Sequence, residues 1–362
     1  MDMEPGESMR ELRGKTAARR AGIFALLGGL LLLAAALNLS LGSVRIPIGD
    51  ILRTLLGQTG VKESWVFIVH DYRLPKIITA ILAGAALSAS GLQMQTMFRN
   101  PLADPFILGI NSGASLGVAI AIMGAGLAGG LFIPMLSAAG ELGLVAAASL
   151  GAGMVMGLIL LVGRRVNNPT TLLILGLMFG HATSALVSLL IYFSAPEKVK
   201  AYSIWSYGAF NGVTWQQLQV LAPVVMFALG ILALLPKGLN ALLLGEDYAR
   251  TMGLNVPRLR VWVLLSASIL SGAVTAFCGP IGFIGVAVPH LARNLFKTSN
   301  HKLLIPAVIL IGAIVAVTAD VIAQIPGSQF VLPINVVTSL FGAPFVLWVV
   351  LRRKRDSATF AV

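Results

Sequence analysis

Only a few residues in this chain could do acid–base or ligand chemistry from within an apolar run. Asp320, His181 and His290 sit well inside long apolar stretches, with Arg73, Lys76, Glu141 and Arg293 nearer their borders. Ionisable groups so placed relay protons, coordinate ions or pair with one another. A proton- or ion-coupled transporter needs a chain of them, and these isolated residues do not make one. Asp320 lies near the end of its run, where a charge can reach water, so a structural or capping role is favoured. His290 follows Pro289 at a helix break and is read as satisfying a freed carbonyl rather than as a ligand. His181 follows Gly180 and is the candidate for contact with a passing solute, because neutral imidazole is a common metal ligand. The plainer reading of His181, a polar residue bonded to a neighbouring helix, is preferred.

Other catalytic equipment is missing from the sequence. No G-x-x-x-x-G-K-[ST] loop occurs to cradle a nucleoside triphosphate. No His, Cys, Asp and Glu cluster has metal-ligand spacing, and no motif suggests a Ser/His/Asp set, so the chain is expected to hold no metal or cofactor of its own. The single cysteine, Cys278, excludes an intramolecular disulfide and reads as a packing residue beside Gly279 and Pro280. The net charge of +12 invites a nucleic-acid reading. The basic residues form short clusters between apolar runs, however, which is a topology signal rather than a binding face. A transporter with neither coupling charges nor a nucleotide loop requires a partner that supplies energy.

The elements that position these residues are membrane helices. Hydrophobic residues make up 57% of the chain and charged ones 11%, against about 25% charged in soluble domains. Mean hydropathy is +0.89. The apolar runs are continuous, without the alternation of a barrel strand, so the fold class is all-α. Ten spans are read at 21–41, 73–98, 107–124, 141–163, 170–193, 215–235, 261–278, 280–298, 303–323 and 333–351. The stretch 125–140 has room for a short extra helix. Ala34, Ala35 and Ala36 could mark a signal-peptide cleavage site; the length of the first run favours an uncleaved span. With the N-terminus in the cytoplasm, 19 of the 26 Lys and Arg residues fall inside, which places both ends there. The domain reading is a cytoplasmic tail (1–20), one ten-helix transmembrane domain (21–351) and a basic cytoplasmic tail (352–362). Gly153 with Gly157, and Gly176 with Gly180, have the G-x-x-x-G spacing of close helix packing. Gly279-Pro280, Gly282, Gly285 and Pro289 break one apolar stretch, and Pro326-Gly327, Pro333 and Pro344 another. Broken helices are a feature of transporters.

Five stretches carry a resemblance. RLPKIITAILAGAALSASG (73–91), TMFRNPLADPFILGINSGASLG (96–117), WSYGAFNGVTW (205–215), LLLGEDYARTMGLNVPRLR (242–260) and GPIGFIGVAVPHLAR (279–293) occur in that order. Together they resemble the FecCD family, the permeases of type II ABC importers, over about residues 40 to 351. The resemblance implies a vitamin B12 permease-like fold and a homodimer around a central pathway. It also implies two cytoplasmic ATP-binding subunits, an external substrate-binding protein, and an iron-siderophore, haem or cobalamin as cargo. It places ATPase docking within 237–260, at Gly245, Glu246, Asp247, Ala249, Arg250 and Gly253. Gly245, Ala249 and Gly253 fall at i, i+4 and i+8, which predicts a smooth helix face; an ordinary amphipathic surface helix is the alternative. It gives Arg73 and Lys76 to docking of the binding protein, with interfacial anchoring as the alternative. Gln324 departs from the arginine that vitamin B12 permeases carry at a third such position. The inner gate is expected at Asn100, Leu102, Thr170 and Thr171, which also read as turn residues, and His181 is expected on the pathway. The competing readings are a stand-alone secondary transporter or channel, disfavoured by the scarcity of ionisable groups, and a membrane-embedded enzyme, disfavoured by the missing catalytic set.

Overall fold

The computed structural model describes residues 5–42, 44–124, 140–163, 169–324 and 331–359. Among the described residues there is no strand. The helices are α1 (Pro5–Ser40), α2 (Ile48–Leu55), α3 (Glu63–Phe67), α4 (Leu74–Met97), α5 (Ile110–Met123), α6 (Gly140–Gly163), α7 (Pro169–Tyr192), α8 (Pro196–Ser206), α9 (Trp215–Ala233), α10 (Pro236–Leu244), α11 (Glu246–Thr251), α12 (Val256–Cys278), α13 (Ile284–Phe296), α14 (His301–Ala323) and α15 (Ile334–Thr359). A π-helical turn, Ile68–Arg73, joins α3 to α4, and a 3-10 turn, Pro105–Leu108, precedes α5. Seven of the described helices are long and apolar enough to cross a membrane. Three shorter ones, α5, α13 and α15's apolar part Ile334–Trp348, fill the remaining positions of the ten read from the sequence.

Two of those ten need correction. The run 107–124 is α-helical only over the 14 residues of α5, which follow the 3-10 turn and left-handed Gly109. The run 280–298 is not a single span: residues 279–283 are non-helical, and α13 has 13 residues. At about 1.5 Å per residue it is some 20 Å long, short of the ~30 Å hydrocarbon layer. The cause is local. Gly279 (φ 72) and Phe283 (φ 69) both take left-handed conformations, which helical hydrogen bonding does not tolerate in series. The extra helix considered for 125–140 falls almost wholly outside the described residues.

The core is built on α4, which packs against α12, α13 and α14. Its smoothness is used at defined points. A Cβ on Gly84 would lie 2.1 Å from the Gly312 carbonyl oxygen, and one on Gly91 would lie 1.9 Å from that of Gly285. Backbone meets backbone at both places, so no side chain can be accommodated. The α5–α6 pair repeats the arrangement: a Cβ on Gly117 would meet the Ala147 oxygen at 2.0 Å, and one on Gly151 the Gly113 oxygen at 2.1 Å. Gly176 closes on Leu108 in the same way. Gly153 and Gly157, expected to mediate packing, face open space within this chain. Spacing alone does not say which face of α6 is used.

Contacts between distant residues sort the loops into two ends. Leu39, Val44, Lys76, Asp320 and Gln324 meet at one end, with Tyr72 and Asn211 nearby. Thr96, Pro101, Asn240, His290 and His301 meet at the other. α9 starts at the first end with a capping box: the Thr214 hydroxyl accepts from Gln217 N, and the Gln217 side chain accepts from Thr214 N. Thr214→Ala is expected to cost about 1 kcal/mol, the usual worth of an N-cap. A thermal melt of the purified chain unchanged by this substitution would refute it.

Candidate functional site

At the first end, Asp320 of α14 collects three donors on one oxygen. Lys76 Nζ lies 2.8 Å from Oδ2, Asn38 Nδ2 2.7 Å and Gln324 Nε2 2.7 Å. Lys76 and Asp320 are both almost fully buried, at 2% and 4% exposure. Desolvation makes such a pair costly unless further hydrogen bonds support it; Asn38 and Gln324 supply two, both to Oδ2, while the buried Asn38 Oδ1 has no partner among the described residues. Arg73 is buried too and donates to the carbonyls of Leu39 and Val44. The capping role expected of Asp320 is therefore an ion pair across α1, α4 and α14. Arg73 and Lys76, assigned from the resemblance to external docking, have their charged ends engaged inside the chain. Above them opens a cavity of about 440 Å³ lined by Tyr72, Lys76, Tyr207, Phe210, Asn211 and Asp320, among others.

At the opposite end α4 stops in a tight turn. Arg99 is left-handed (φ 47), Asn100 N returns to the Gln95 carbonyl at 3.2 Å, and Asn100 Oδ1 accepts from Leu102 N at 3.0 Å. The turn hangs from α13. His290 Nε2 lies 2.9 Å from the Pro101 carbonyl; a carbonyl only accepts, so this nitrogen carries the proton. Arg293 donates to Gln95 Oε1 at 2.6 Å, and Gln95 Nε2 donates to the Val286 carbonyl at 3.1 Å. Of the expected gate residues, Asn100 and Leu102 share this turn, with Leu102 41% exposed. Thr170 and Thr171 are exposed on the first turn of α7.

The segment 237–260 folds differently from its periodicity. Gly245, Ala249 and Gly253 do not share a helix face: α11 covers only Glu246–Thr251. Gly245 (φ 115) precedes it, and Gly253 (φ 81) ends it with a bond from Leu254 N to Ala249 O at 3.1 Å, the arrangement of a glycine C-cap. Ala249 is fully buried. The outward surface consists instead of Asp247, Tyr248, Arg250, Thr251 and Met252. Glu246 pins the helix from below through a 2.7 Å bond to buried Arg260, with Arg250 3.7 Å from it.

His181 lies midway along α7. In the apolar stretch of that helix 11% of residues are buried, against 83% in the stretch containing α4. Ile174, Leu177, His181, Ser184 and Ser188 recur at alternating three- and four-residue steps and are all exposed, which makes them one face. Among the described residues the His181 ring has no hydrogen-bond partner, and no group of three or more His, Cys, Asp or Glu could hold a metal ion.

The model of the FecCD transport family matches residues 30–352. The chain belongs to the FecCD transport family. As a FecCD protein it is a multi-pass permease of the ABC-importer type, a transporter rather than an enzyme, and membership implies an ATPase and a substrate-binding partner. Relatives include the vitamin B12 import system permease protein BtuC of Klebsiella pneumoniae, 36% identical over 90% of this chain and 92% of that protein. BtuC of Salmonella typhi is 36% identical over 90% and 94%, and that of Citrobacter koseri 35% identical over 90% and 93%. A solved inward-facing structure of a metal-chelate type ABC transporter superposes with a TM-score of 0.79 at 30% identity, covering 92% of this chain and 99% of that one. Within this FecCD chain, sequence reasoning missed Asn38, Asn240, Thr96 and His301. The signal available for the last was the Asn300-His301 pair at a span's start, an N-cap pattern.

Proposed function

We propose that two copies of this chain form the membrane pathway of an importer for a large metal chelate: cobalamin, an iron-siderophore or haem. The observation that supports this best is the unburied face of α7. A span this little covered by its own chain must face lipid, a second copy or water, and His181, Ser184 and Ser188 on that face argue for a polar pathway. Both termini lie in the cytoplasm in this reading, which the 19 basic residues that then fall on that side support. Lipid surrounds the dimer. Two ATP-binding subunits dock on α10–α11 through Asp247, Tyr248 and Arg250, on a surface whose shape Gly245, Glu246, Ala249 and Gly253 maintain. The gate is formed by Asn100, Leu102, Thr170 and Thr171. The substrate-binding protein docks at the opposite end, where Arg73 and Lys76 act from beneath by holding the mouth in shape. No resident cofactor takes part.

Reconstitution tests the reading. The chain alone in proteoliposomes is expected to pass none of cyanocobalamin, a ferric siderophore or haemin. With its ATPase and binding protein it is expected to take up one of them only when ATP is present. Flux through the chain alone, or ATP-dependent uptake of none of the three, would refute the proposal.

A further inference from the structure

His301 begins α14 and is fully buried, yet its ring touches two other elements. Nδ1 lies 2.8 Å from Asn240 Oδ1 on α10, and Nε2 lies 2.8 Å from Thr96 Oγ1, in the last turn of α4. Asn240 Oδ1 also accepts the His301 backbone N–H at 2.9 Å, and Asn240 Nδ2 donates to Asn300 Oδ1 at 3.1 Å. An asparagine of α10 thus caps the start of α14 from outside, meeting donors that a helix's first turn leaves orphaned. Thr96 is four residues from Asn100, and Arg99 N donates to the Thr96 carbonyl. One imidazole therefore spans the distance from the cytoplasmic segment to the turn that ends α4.

We propose that His301, held by Asn240 and grasping Thr96, is the positioning residue that transmits movement of the ATPase-docking segment to the gate turn. This rests on the docking reading of 237–260 given above. The proton arrangement lets the contact release. Asn240 Oδ1 already accepts from a backbone N–H, so it is an acceptor and the His301 proton sits on Nδ1. Nε2 then offers a lone pair, and the Thr96 hydroxyl must donate to it. That hydroxyl has a second acceptor at the same distance, the Leu92 carbonyl at 2.8 Å. Rotation of one O–H bond exchanges one partner for the other and leaves α4 hydrogen-bonded either way. The α10–His301 end carries two bonds from one oxygen and has no such alternative. The joint is firm toward the docking segment and exchangeable toward the gate.

The test reads the gate without knowledge of the cargo. Cys278 is the single cysteine and is buried, so Leu102→Cys in a Cys278→Ala background gives one reactive position. In the assembled complex with the ATPase subunit, maleimide labelling at that position is followed with and without trapping by ATP and vanadate. In the parent, trapping is expected to change the labelling rate by about five-fold or more, the lower end of ordinary coupling between two sites. In Thr96→Val, which keeps shape and loses the hydroxyl, and in His301→Leu, the change is expected to vanish while the ATPase subunit still co-purifies and traps nucleotide. Thr96→Ser, which restores the hydroxyl, is expected to restore the response. A response that survives in Thr96→Val and His301→Leu overturns the role of His301 alone, as does a parent that shows none or loss of the ATPase subunit from Thr96→Val. ATPase association untouched by Gly253→Trp, which cannot adopt the required φ cheaply, overturns the docking reading itself.

Discussion

Gly91→Leu is expected to abolish recovery of folded chain from the membrane. The first added atom would stand 1.9 Å from the Gly285 carbonyl oxygen and 2.5 Å from its carbon, closer than any non-bonded contact allows. Overpacking a core usually costs about 1–3 kcal/mol because flexible side chains move aside. Here the obstruction is the backbone of α13, which the His290–Pro101 and Arg293–Gln95 bonds tie to α4 and the turn that follows it. Accommodation would have to move a whole helix, and a protein's total margin is only about 5–15 kcal/mol. Gly230→Leu is the matched comparison: nothing lies within 4 Å of a Cβ there, and wild-type yield is expected. Size-exclusion profiles of fluorescently tagged chains decide the matter. A monodisperse peak from Gly91→Leu at normal height would mean that α4 and α13 do not meet as described.

Lys76→Met should be the next most damaging change. It removes the charge facing Asp320 and leaves a buried carboxylate with only the Asn38 and Gln324 amides. Breaking a buried pair from one side costs about 3–5 kcal/mol, most of it the uncompensated charge. The direction of rescue is the sharper part of the expectation. Asp320→Asn added to Lys76→Met removes that charge while keeping an acceptor for Asn38, and should return most of the lost stability. Thermal melts of the two variants and the double variant give the comparison. If the double variant is no more stable than Lys76→Met, the pair is not the buried structural contact that its 2.8 Å separation indicates.

The helical class and most span limits were legible because hydropathy and length are local properties: α6, α7, α9 and α14 begin and end within two residues of the limits read from the sequence. The break at Gly279-Pro280 was legible as well, since proline and left-handed glycine announce themselves. What followed the break was not, because a 13-residue apolar helix looks like part of a longer one. Pairings between distant residues were invisible for a different reason. Nothing near Lys76 names Asp320, and nothing near Gly84 names Gly312. The G-x-x-x-G spacing at Gly153 and Gly157 looked as good as the contacts made by Gly113 and Gly117, yet only the latter face a neighbour in this chain. In the docking segment the periodic reading failed because Gly245 and Gly253 were counted as helix residues, whereas each takes a positive φ that delimits the helix. Ala249 then turns inward, and the exposed side chains fall to the positions between.

The carbonyl-against-glycine contacts of α4 have a mechanical consequence. Where a carbonyl oxygen occupies the place of a missing Cβ, neither helix can advance by one residue along the other, since the next residues, Ala85 and Leu92, carry side chains. Shear is blocked at two heights, Gly84 with Gly312 and Gly91 with Gly285. The trio α4, α13 and α14 must therefore travel as a single rigid block. Any rocking that opens and closes a passage has to be hinged outside that block, and α7, which packs on α5, α6 and the Pro105–Leu108 turn and touches no member of the trio closely, is the limb outside it with a face left uncovered.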